Sequence, residues 1–350
     1  MSFARYMELA LHAPGLGYYS AGAAKFGGAG DFVTAPEISP LFGRTLARQA
    51  AELVRAGLGE ILEFGAGRGT LAAELLAELA RLDALPERYL ILETSADLRA
   101  SQTACLGKLS RDLSGRVAWI EALPRNFVGA TLANEVLDAM PVHVVTTRPD
   151  GIDELGVTID GDRFRWEPRP AAGAVLEQAR TLGLSPGYTT EIHLAAQAFV
   201  RTLAGRIERG VMLFADYGFP AREYYHAERC GGTLLCHFRH HAHDDPFCLV
   251  GLQDVTAHID FSALARTARE CRLDVLGYCS QAQFLINCGI TDQLAATPAS
   301  QSGSYLLLAA QAGKLLSPAE MGELFKFFAL GRNYDRPLCG FARGDRSGAL

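Results

Sequence analysis

The sequence lacks the features that mark a membrane or exported protein. Its longest apolar runs, such as residues 305–310, fall well short of the roughly 18 residues that a membrane span requires. The first ten residues hold one arginine and one glutamate, without the layout of a secretion signal or a transit peptide. These absences predict a protein without a membrane span that is located in the cytoplasm.

Cysteine pairs and runs of like charge are also missing. The eight cysteines have no paired short spacings, which excludes a disulfide scaffold and is typical of a reducing compartment. With 33 basic against 39 acidic residues and no run of five like charges, the net charge of -6 disfavours a nucleic-acid partner. Hydrophobic residues make up 49% of the chain, which favours a packed globular protein with one large core and additions.

A strand followed by a helix recurs in the first half of the chain, and glycines mark the turns between them. The predicted strands here are 60–64, 89–94, 116–120 and 129–133, and the predicted helices are 70–82 and 95–109. Alternation of this kind is typical of an α/β protein with a mostly parallel sheet that helices cover on both faces.

The pattern changes after residue 141, where short stretches of alternating polarity predict an antiparallel β insertion. Its predicted strands are 142–147, 153–159 and 163–167. The parallel sheet is then expected to resume, with a helix at 192–207 and a strand at 210–215, and to close with strands 232–238 and 273–278 around a helix at 261–271. Residues 318–330 are predicted to form a helix near the carboxyl end.

Three glycines, Gly65, Gly67 and Gly69, follow the first strand and precede a helix, which is where an open α/β sheet binds its ligand. Glycine lets a ligand lie directly over the turn and meet free amides at the start of the helix. A dinucleotide fingerprint would need its third glycine at Thr70, and no lysine follows as in a phosphate-binding loop, so nicotinamide, flavin and nucleoside triphosphate ligands are disfavoured.

An acid, Glu93, ends the second predicted strand, 24 residues after Gly69. A carboxylate at that position can accept two hydrogen bonds from the vicinal hydroxyls of a ribose. Turn and acid together predict an adenosine ligand that carries no diphosphate. The alternative is that the glycines only make a tight turn and that Glu93 is a solvated strand end.

Five segments in this order resemble the MidA-like family of class I S-adenosylmethionine-dependent methyltransferases. They are GDFVTAPEISPLFG (30–43), EFGAGRGTLA (63–72), ANEVLDAMPV (133–142), DYGFPAREYYHAERCGGTLLC (216–236) and GLQDVTAHIDF (251–261). The resemblance implies a Rossmann-like core that binds S-adenosylmethionine, with the glycines near its methionine part and Glu93 on its ribose. Mitochondrial relatives in this family suggest a protein arginine as methyl acceptor.

On this basis the chain is expected to divide into five segments. They are an N-terminal lid and helix (1–58), the first part of the S-adenosylmethionine-binding core (59–141), the β-rich insertion (142–190), the second part of the core (191–280) and a C-terminal helical segment (281–350).

Further candidate cofactor contacts are Glu63, beside the glycines, and three residues of the N-terminal segment, Asp31, Thr34 and Pro36. The sequence Thr-Ala-Pro-Glu that begins at Thr34 also matches a capping box, and its alternative role is to start the next helix. Ser39 followed by proline is a competing helix start. Glycines just upstream would let this segment close over the cofactor.

Candidate catalytic residues lie at the predicted ligand edge of the sheet. Methyl transfer requires an oriented acceptor and exclusion of water, and a guanidinium acceptor calls for carboxylates that grip it. Glu135, with Asn134 before it, ends the fourth predicted strand, and Asp216 ends the next buried strand. We expect Glu135 to bind the acceptor, with Asn134 and Asp216 beside it. Helix capping or structural hydrogen bonding is the alternative for each.

Histidines and cysteines crowd between residues 230 and 248, but no CxxC or HExxH spacing occurs, so no metal site is predicted. Tyr224 and Tyr225 either line an acceptor pocket or belong to the core. Gln253, Asp254 and His258 form a polar cluster without an individual role.

The sequence therefore predicts an S-adenosylmethionine-dependent methyltransferase that acts on a protein, with no prediction of its oligomeric state. The alternative is an assembly or binding module that keeps the nucleoside pocket and holds a partner protein through its β insertion. A nucleotide-dependent oxidoreductase is disfavoured by Thr70 in place of a fingerprint glycine.

Overall fold

The chain folds into two compact units, each made of three stretches of sequence. A computed structural model describes residues 1–20, 33–298 and 302–350. The seven-strand unit comprises Val33–Val136, Arg201–Tyr217 and Ala265–Leu350. The accessory unit comprises Met1–Phe32, Leu137–Val200 and Gly218–Leu264. Asp31, a predicted cofactor contact, lies outside the described residues.

Helices and strands alternate along most of the described chain. The α-helices are α1 (Phe3–His12), α2 (Ala35–Ile38), α3 (Pro40–Arg55), α4 (Thr70–Arg81), α5 (Ala96–Leu106), α6 (Arg111–Ser114), α7 (Gly173–Thr181), α8 (Leu194–Ala204), α9 (Ala221–Tyr224), α10 (Phe261–Glu270), α11 (Gln281–Asn287), α12 (Ile290–Ala295) and α13 (Ser302–Leu316). The strands are β1 (Glu60–Phe64), β2 (Arg88–Leu92), β3 (Val117–Ile120), β4 (Phe127–Asn134), β5 (His143–Arg148), β6 (Gly151–Asp160), β7 (Arg163–Pro170), β8 (Thr189–Ile192), β9 (Ile207–Phe219), β10 (Leu235–Phe238), β11 (His241–His243), β12 (Asp254–Thr256), β13 (Ile259–Asp260), β14 (Asp274–Ser280) and β15 (Phe325–Arg332).

The seven-strand unit is built on a sheet with the strand order β14-β15-β9-β4-β1-β2-β3. Neighbours from β9 to β3 pair in parallel, and β15 alone runs antiparallel to both of its neighbours. The predicted α/β fold with a mostly parallel sheet is thereby confirmed. Because Phe64 pairs with Ala133 and Asn134 with Ala215, the carboxyl ends of β1 and β4 lie at one edge of the sheet, beside Ala215 of β9.

Apolar spacing explains how helix α4 covers this sheet. Leu71, Leu75, Leu76 and Leu79 recur every three or four residues and are all buried, so they form one apolar face. Burial of a leucine side chain stabilises the folded chain by roughly 1.5–3 kcal/mol, so this face anchors the start of α4 beside the end of β1.

Two predicted elements are wrong. Residues 318–330, predicted as a helix, contain most of strand β15, which lies between β9 and β14 and is buried on both faces. A strand buried on both faces has no alternating pattern to distinguish it from a buried helix. Within the predicted strand 232–238, β10 pairs with β11 and β12 in a separate three-stranded sheet and does not close the main sheet.

The accessory unit contains that small sheet and a four-stranded antiparallel sheet of order β7-β6-β5-β8. The predicted antiparallel insertion is confirmed, since β5, β6 and β7 pair in sequence. Phe3 and Phe247 pack against Trp166, with ring centroids 4.8 and 4.9 Å from it, within an apolar cluster of this unit. The predicted boundaries of the five segments stay a prediction.

Candidate active site

The glycine turn lies between β1 and α4, as predicted. All three glycines have left-handed backbones, with φ of 62° at Gly65, 50° at Gly67 and 86° at Gly69. A Cβ at Gly65 would lie 2.7 Å from Val136 Cγ2, and one at Gly69 would lie 3.3 Å from the Cα of Gln102. The turn therefore requires glycine, because its backbone is left-handed and because neighbouring atoms leave no room for a Cβ at Gly65 and little at Gly69. Helix α4 starts without a side chain that caps it.

Glu93 directly follows β2 and is 9% exposed. Its Oε1 accepts a hydrogen bond of 2.8 Å from the Ser95 amide, and its Oε2 accepts one of 3.0 Å from Gln102 Nε2. An ionised carboxylate can accept about four hydrogen bonds, so these two donors fix its orientation and leave capacity for two ribose hydroxyls. Its assignment to the ribose stays a prediction with which this geometry agrees.

Glu63 lies within β1 and is almost fully buried. Its Oε2 accepts a hydrogen bond of 2.8 Å from the Tyr89 hydroxyl of the neighbouring strand. Burial raises the pKa of Glu63 to about 7, although the Tyr89 hydrogen bond acts in the opposite direction. This carboxyl therefore titrates near neutral pH, and its predicted contact with the cofactor stays a prediction.

Glu135 adopts a left-handed backbone, with φ of 52°, immediately after β4. Its amide donates to the Ala215 carbonyl at 2.9 Å, which holds the turn against β9. Its carboxylate oxygen Oε1 accepts hydrogen bonds from Asn134 Nδ2 at 3.0 Å and from the Ala35 amide at 3.2 Å. The two predicted catalytic residues are thus in contact, and Glu135 is also hydrogen-bonded to the segment that begins α2.

Thr34 precedes the short helix α2, but its side chain makes no capping hydrogen bond, so the capping box is not formed. Glu37, which would complete that box, instead accepts a hydrogen bond of 2.6 Å from the Thr70 hydroxyl at the start of α4. Ser39 caps α3 by accepting from the Leu41 amide. Two hydrogen bonds, to Thr70 and from Ala35 to Glu135, therefore fasten the segment that contains Thr34 and Pro36 beside the glycine turn.

Asp216 lies on β9 and is fully buried. Since Asn134 pairs with Ala215, Asp216 is level with Glu135 on the neighbouring strand. Its Oδ1 accepts a hydrogen bond of 2.9 Å from the Tyr217 amide. Its register partner on β15 is Lys326, a buried cation that sequence reasoning missed because that stretch was predicted to be helical.

The accessory unit holds the remaining polar candidates in structural contacts. The buried Tyr224 hydroxyl donates to Glu191 Oε2 at 2.7 Å, which favours the core interpretation of this tyrosine. The Tyr225 hydroxyl donates to Asp260 Oδ2 at 2.9 Å. Asp254 Oδ1 accepts from a tyrosine hydroxyl of the same unit, at 2.9 Å.

In the histidine- and cysteine-rich stretch, Cys248 Sγ lies 3.7 Å from His243 Nε2. Among residues 1–20, 33–298 and 302–350, no group of three or more histidine, cysteine or acidic side chains is arranged to hold a metal ion. Within the same described ranges, no helix has the length and apolar character needed to cross a membrane.

The sheet order, with one antiparallel strand, and the glycine turn define a class I methyltransferase fold with its ligand edge at β1, β4 and β9. Residues 42–279 match a family described as "Putative S-adenosyl-L-methionine-dependent methyltransferase". The chain belongs to this family. The predicted enzyme class and cofactor, S-adenosylmethionine, are thereby confirmed.

Individual relatives agree with this assignment. The mitochondrial protein arginine methyltransferase NDUFAF7 of Danio rerio is 31% identical over 94% of this chain and 83% of its own length. The Homo sapiens protein of the same name is 30% identical over 94% and 80%. The crystal structure of a "likely methyl transferase" from Burkholderia thailandensis, bound to S-adenosyl-homocysteine, is 50% identical, with a TM-score of 0.96 over 100% of this chain and 92% of that one.

Proposed function

We propose that this methyltransferase transfers the methyl group of S-adenosylmethionine to an arginine side chain of a protein. The observation that carries the proposal is the pair of acidic residues, Glu135 and Asp216, at the level where β4 ends beside β9. The NDUFAF7 relatives, which are named protein arginine methyltransferases and align along 94% of this chain, support the same acceptor.

The residues present fit S-adenosylmethionine. Helix α4 begins at the glycine turn without a side chain that caps it, and Glu93 is oriented at the adjacent strand end. When bound, the cofactor supplies a methyl group on a positively charged sulfonium, which is electrophilic without help from a strong acid.

The protein has to bind and orient the methyl acceptor. A guanidinium stays protonated at neutral pH and is gripped best by carboxylates that accept two parallel hydrogen bonds. Glu135 is held by Asn134 and Ala35, so its carboxylate has a fixed orientation. Such a carboxylate would concentrate the positive charge on the nitrogens that it holds, and so favour attack by the remaining nitrogen, which would release one proton to solvent as it gains the methyl group. A fixed acceptor geometry lowers the barrier of a displacement reaction more than acid or base chemistry would.

The test incubates the protein with methyl-labelled S-adenosylmethionine and a library of arginine-containing peptides, with matched peptides that carry lysine instead. Mass spectrometry after hydrolysis should find methylarginine only with the first set. Glu135→Gln should lower the yield about tenfold or more, because a hydrogen bond between charged groups is lost. Glu74→Gln, which alters the partly exposed ion pair between Arg44 of α3 and Glu74 of α4, is the control and should retain the activity.

Methyllysine or another methylated residue in place of methylarginine would overturn the acceptor while leaving the enzyme class intact. Cofactor binding without transfer to any peptide or lysate protein would favour the binding-module alternative. The cytoplasmic location and the lack of a nucleic-acid partner stay predictions.

A further inference from the structure

Gln102 of α5 connects two parts of the cofactor site through one side chain. Its side chain is fully buried. Nε2 donates to the Gly67 carbonyl at 3.0 Å and to Glu93 Oε2 at 3.0 Å, and Oε1 accepts from Trp119 Nε1 at 2.8 Å. Both amide hydrogens and the amide oxygen are therefore used, and each partner belongs to a different element: the glycine turn, the end of β2 and strand β3.

The orientation of this amide is determined by its partners. An indole N–H can only donate a hydrogen bond, so the atom of Gln102 that faces Trp119 must be the carbonyl oxygen. The amino group is consequently directed at the Gly67 carbonyl and at the Glu93 carboxylate, both of which can only accept. A turned amide would lose all three hydrogen bonds at once.

We infer that Gln102 is a positioning residue for the cofactor, which holds the Glu93 carboxylate at a fixed distance from the glycine turn. A ligand that contacts both the turn and the carboxylate needs that distance to match its own length, and errors of about 1 Å in such positioning cost affinity or rate. The backbone of the turn also packs against this residue, since a Cβ at Gly69 would lie 3.3 Å from Gln102 Cα. The inference rests on the proposed placement of S-adenosylmethionine on Gly67 and Glu93.

The decisive variant is Gln102→Glu, studied by calorimetry with S-adenosylhomocysteine between about pH 5.5 and 8.5. It places two carboxyl groups side by side, and such a pair shares one proton at low pH and repels when both groups are ionised. At about pH 8 the dissociation constant should rise about tenfold or more, since a charge-assisted donor to Glu93 is replaced by a like charge. Below about pH 6 the shared proton restores a donor, so the defect should shrink as the pH falls.

A residue with a merely structural role would weaken binding equally at every pH. Gln293→Glu is the matched control. Gln293 Nε2 donates to Glu78 Oε1 at 2.8 Å, so this substitution also places two carboxyl groups side by side, about two turns along α4 from the site. It should leave both the affinity and its pH profile unchanged. Trp119→Phe keeps an aromatic ring but removes the donor that orients the amide, and it should raise the dissociation constant about two- to fivefold.

Different results would refute the proposed cofactor site and the role of Gln102. If Glu93→Ala binds S-adenosylhomocysteine as the native chain does, or if the native chain does not bind it, the placement of the cofactor fails. If Glu93→Ala loses binding while Gln102→Glu binds like the native chain at about pH 8, the role of Gln102 alone is overturned. If Gln102→Glu fails to fold, the test is Trp119→Phe. A dissociation constant of Trp119→Phe for S-adenosylhomocysteine equal to that of the native chain would then overturn the role of Gln102.

Discussion

The buried carboxyl of Glu63 makes the stability of the protein depend on pH near neutrality. Burial raises its pKa from 4.5 to about 7 in the folded chain. Since the folded chain binds the proton more tightly than the unfolded chain, the stabilisation is complete below about pH 4.5 and is lost as the pH rises through about 7. Each pKa unit corresponds to about 1.4 kcal/mol, so the free energy of unfolding should fall by about 3 kcal/mol over this window on account of this residue.

Glu63→Gln removes the titration and retains an oxygen that can accept from the Tyr89 hydroxyl. Urea unfolding of both proteins between about pH 4.5 and 8 should therefore give curves that separate by about 3 kcal/mol, with the native chain losing stability as the pH rises. Tyr89→Phe is a second check, because that hydroxyl lowers the pKa of Glu63 and its loss should move the step to higher pH. A difference between native and Glu63→Gln stability that stays constant across the range would refute the reasoning.

Two further predictions concern the glycine turn and the segment fastened beside it. Gly69→Ala should destabilise the fold by about 1–3 kcal/mol, because φ of 86° strains any residue with a Cβ. Gly205→Ala is the control and should change the melting temperature little, because Gly205 has no positive φ and its added Cβ would lie 3.6 Å from the Thr202 carbonyl oxygen, an ordinary van der Waals distance. Thr70→Val deletes the donor to Glu37 and should weaken S-adenosylhomocysteine binding about three- to tenfold in calorimetry, while Thr103→Val, which loses an exposed hydrogen bond within α5, should not. A melting temperature of Gly69→Ala equal to that of the native chain would contradict the first expectation. A dissociation constant of Thr70→Val equal to the native one would contradict the second.

The sequence was sufficient where the structural signal is local. The glycine turn, α4 and Glu93 follow from apolar periodicity, from the glycines at the end of a strand and from the rule that ligands bind at the carboxyl ends of parallel strands. Those signals lie within about thirty residues of one another, so no long-range contact is needed to read them. The same holds for the paired strands of the antiparallel insertion, where β5 and β6 are joined by a tight turn.

Prediction failed where a tertiary contact, and no local sequence pattern, decides the structure or the role of a residue. Strand β15 is defined by its insertion between β9 and β14, and its residues, with Lys326 among them, carry no periodicity of their own. Gln102 is one of several polar residues of α5, and only its contacts with Trp119 and Glu93 give it a role. No pattern within either segment distinguishes these residues from surface residues.

The motifs name the groups that carry the chemistry, but residues outside those groups set where each group points. Glu135 is held by the amide of Ala35, a hundred positions earlier, and Glu93 by Gln102 from the following helix. A carboxylate binds a ribose or a guanidinium only in the direction that its remaining lone pairs face. Substitutions at the supporting positions should therefore impair binding or transfer even when every motif residue is intact, because the reaction depends on alignment more than on the acidity of any one group.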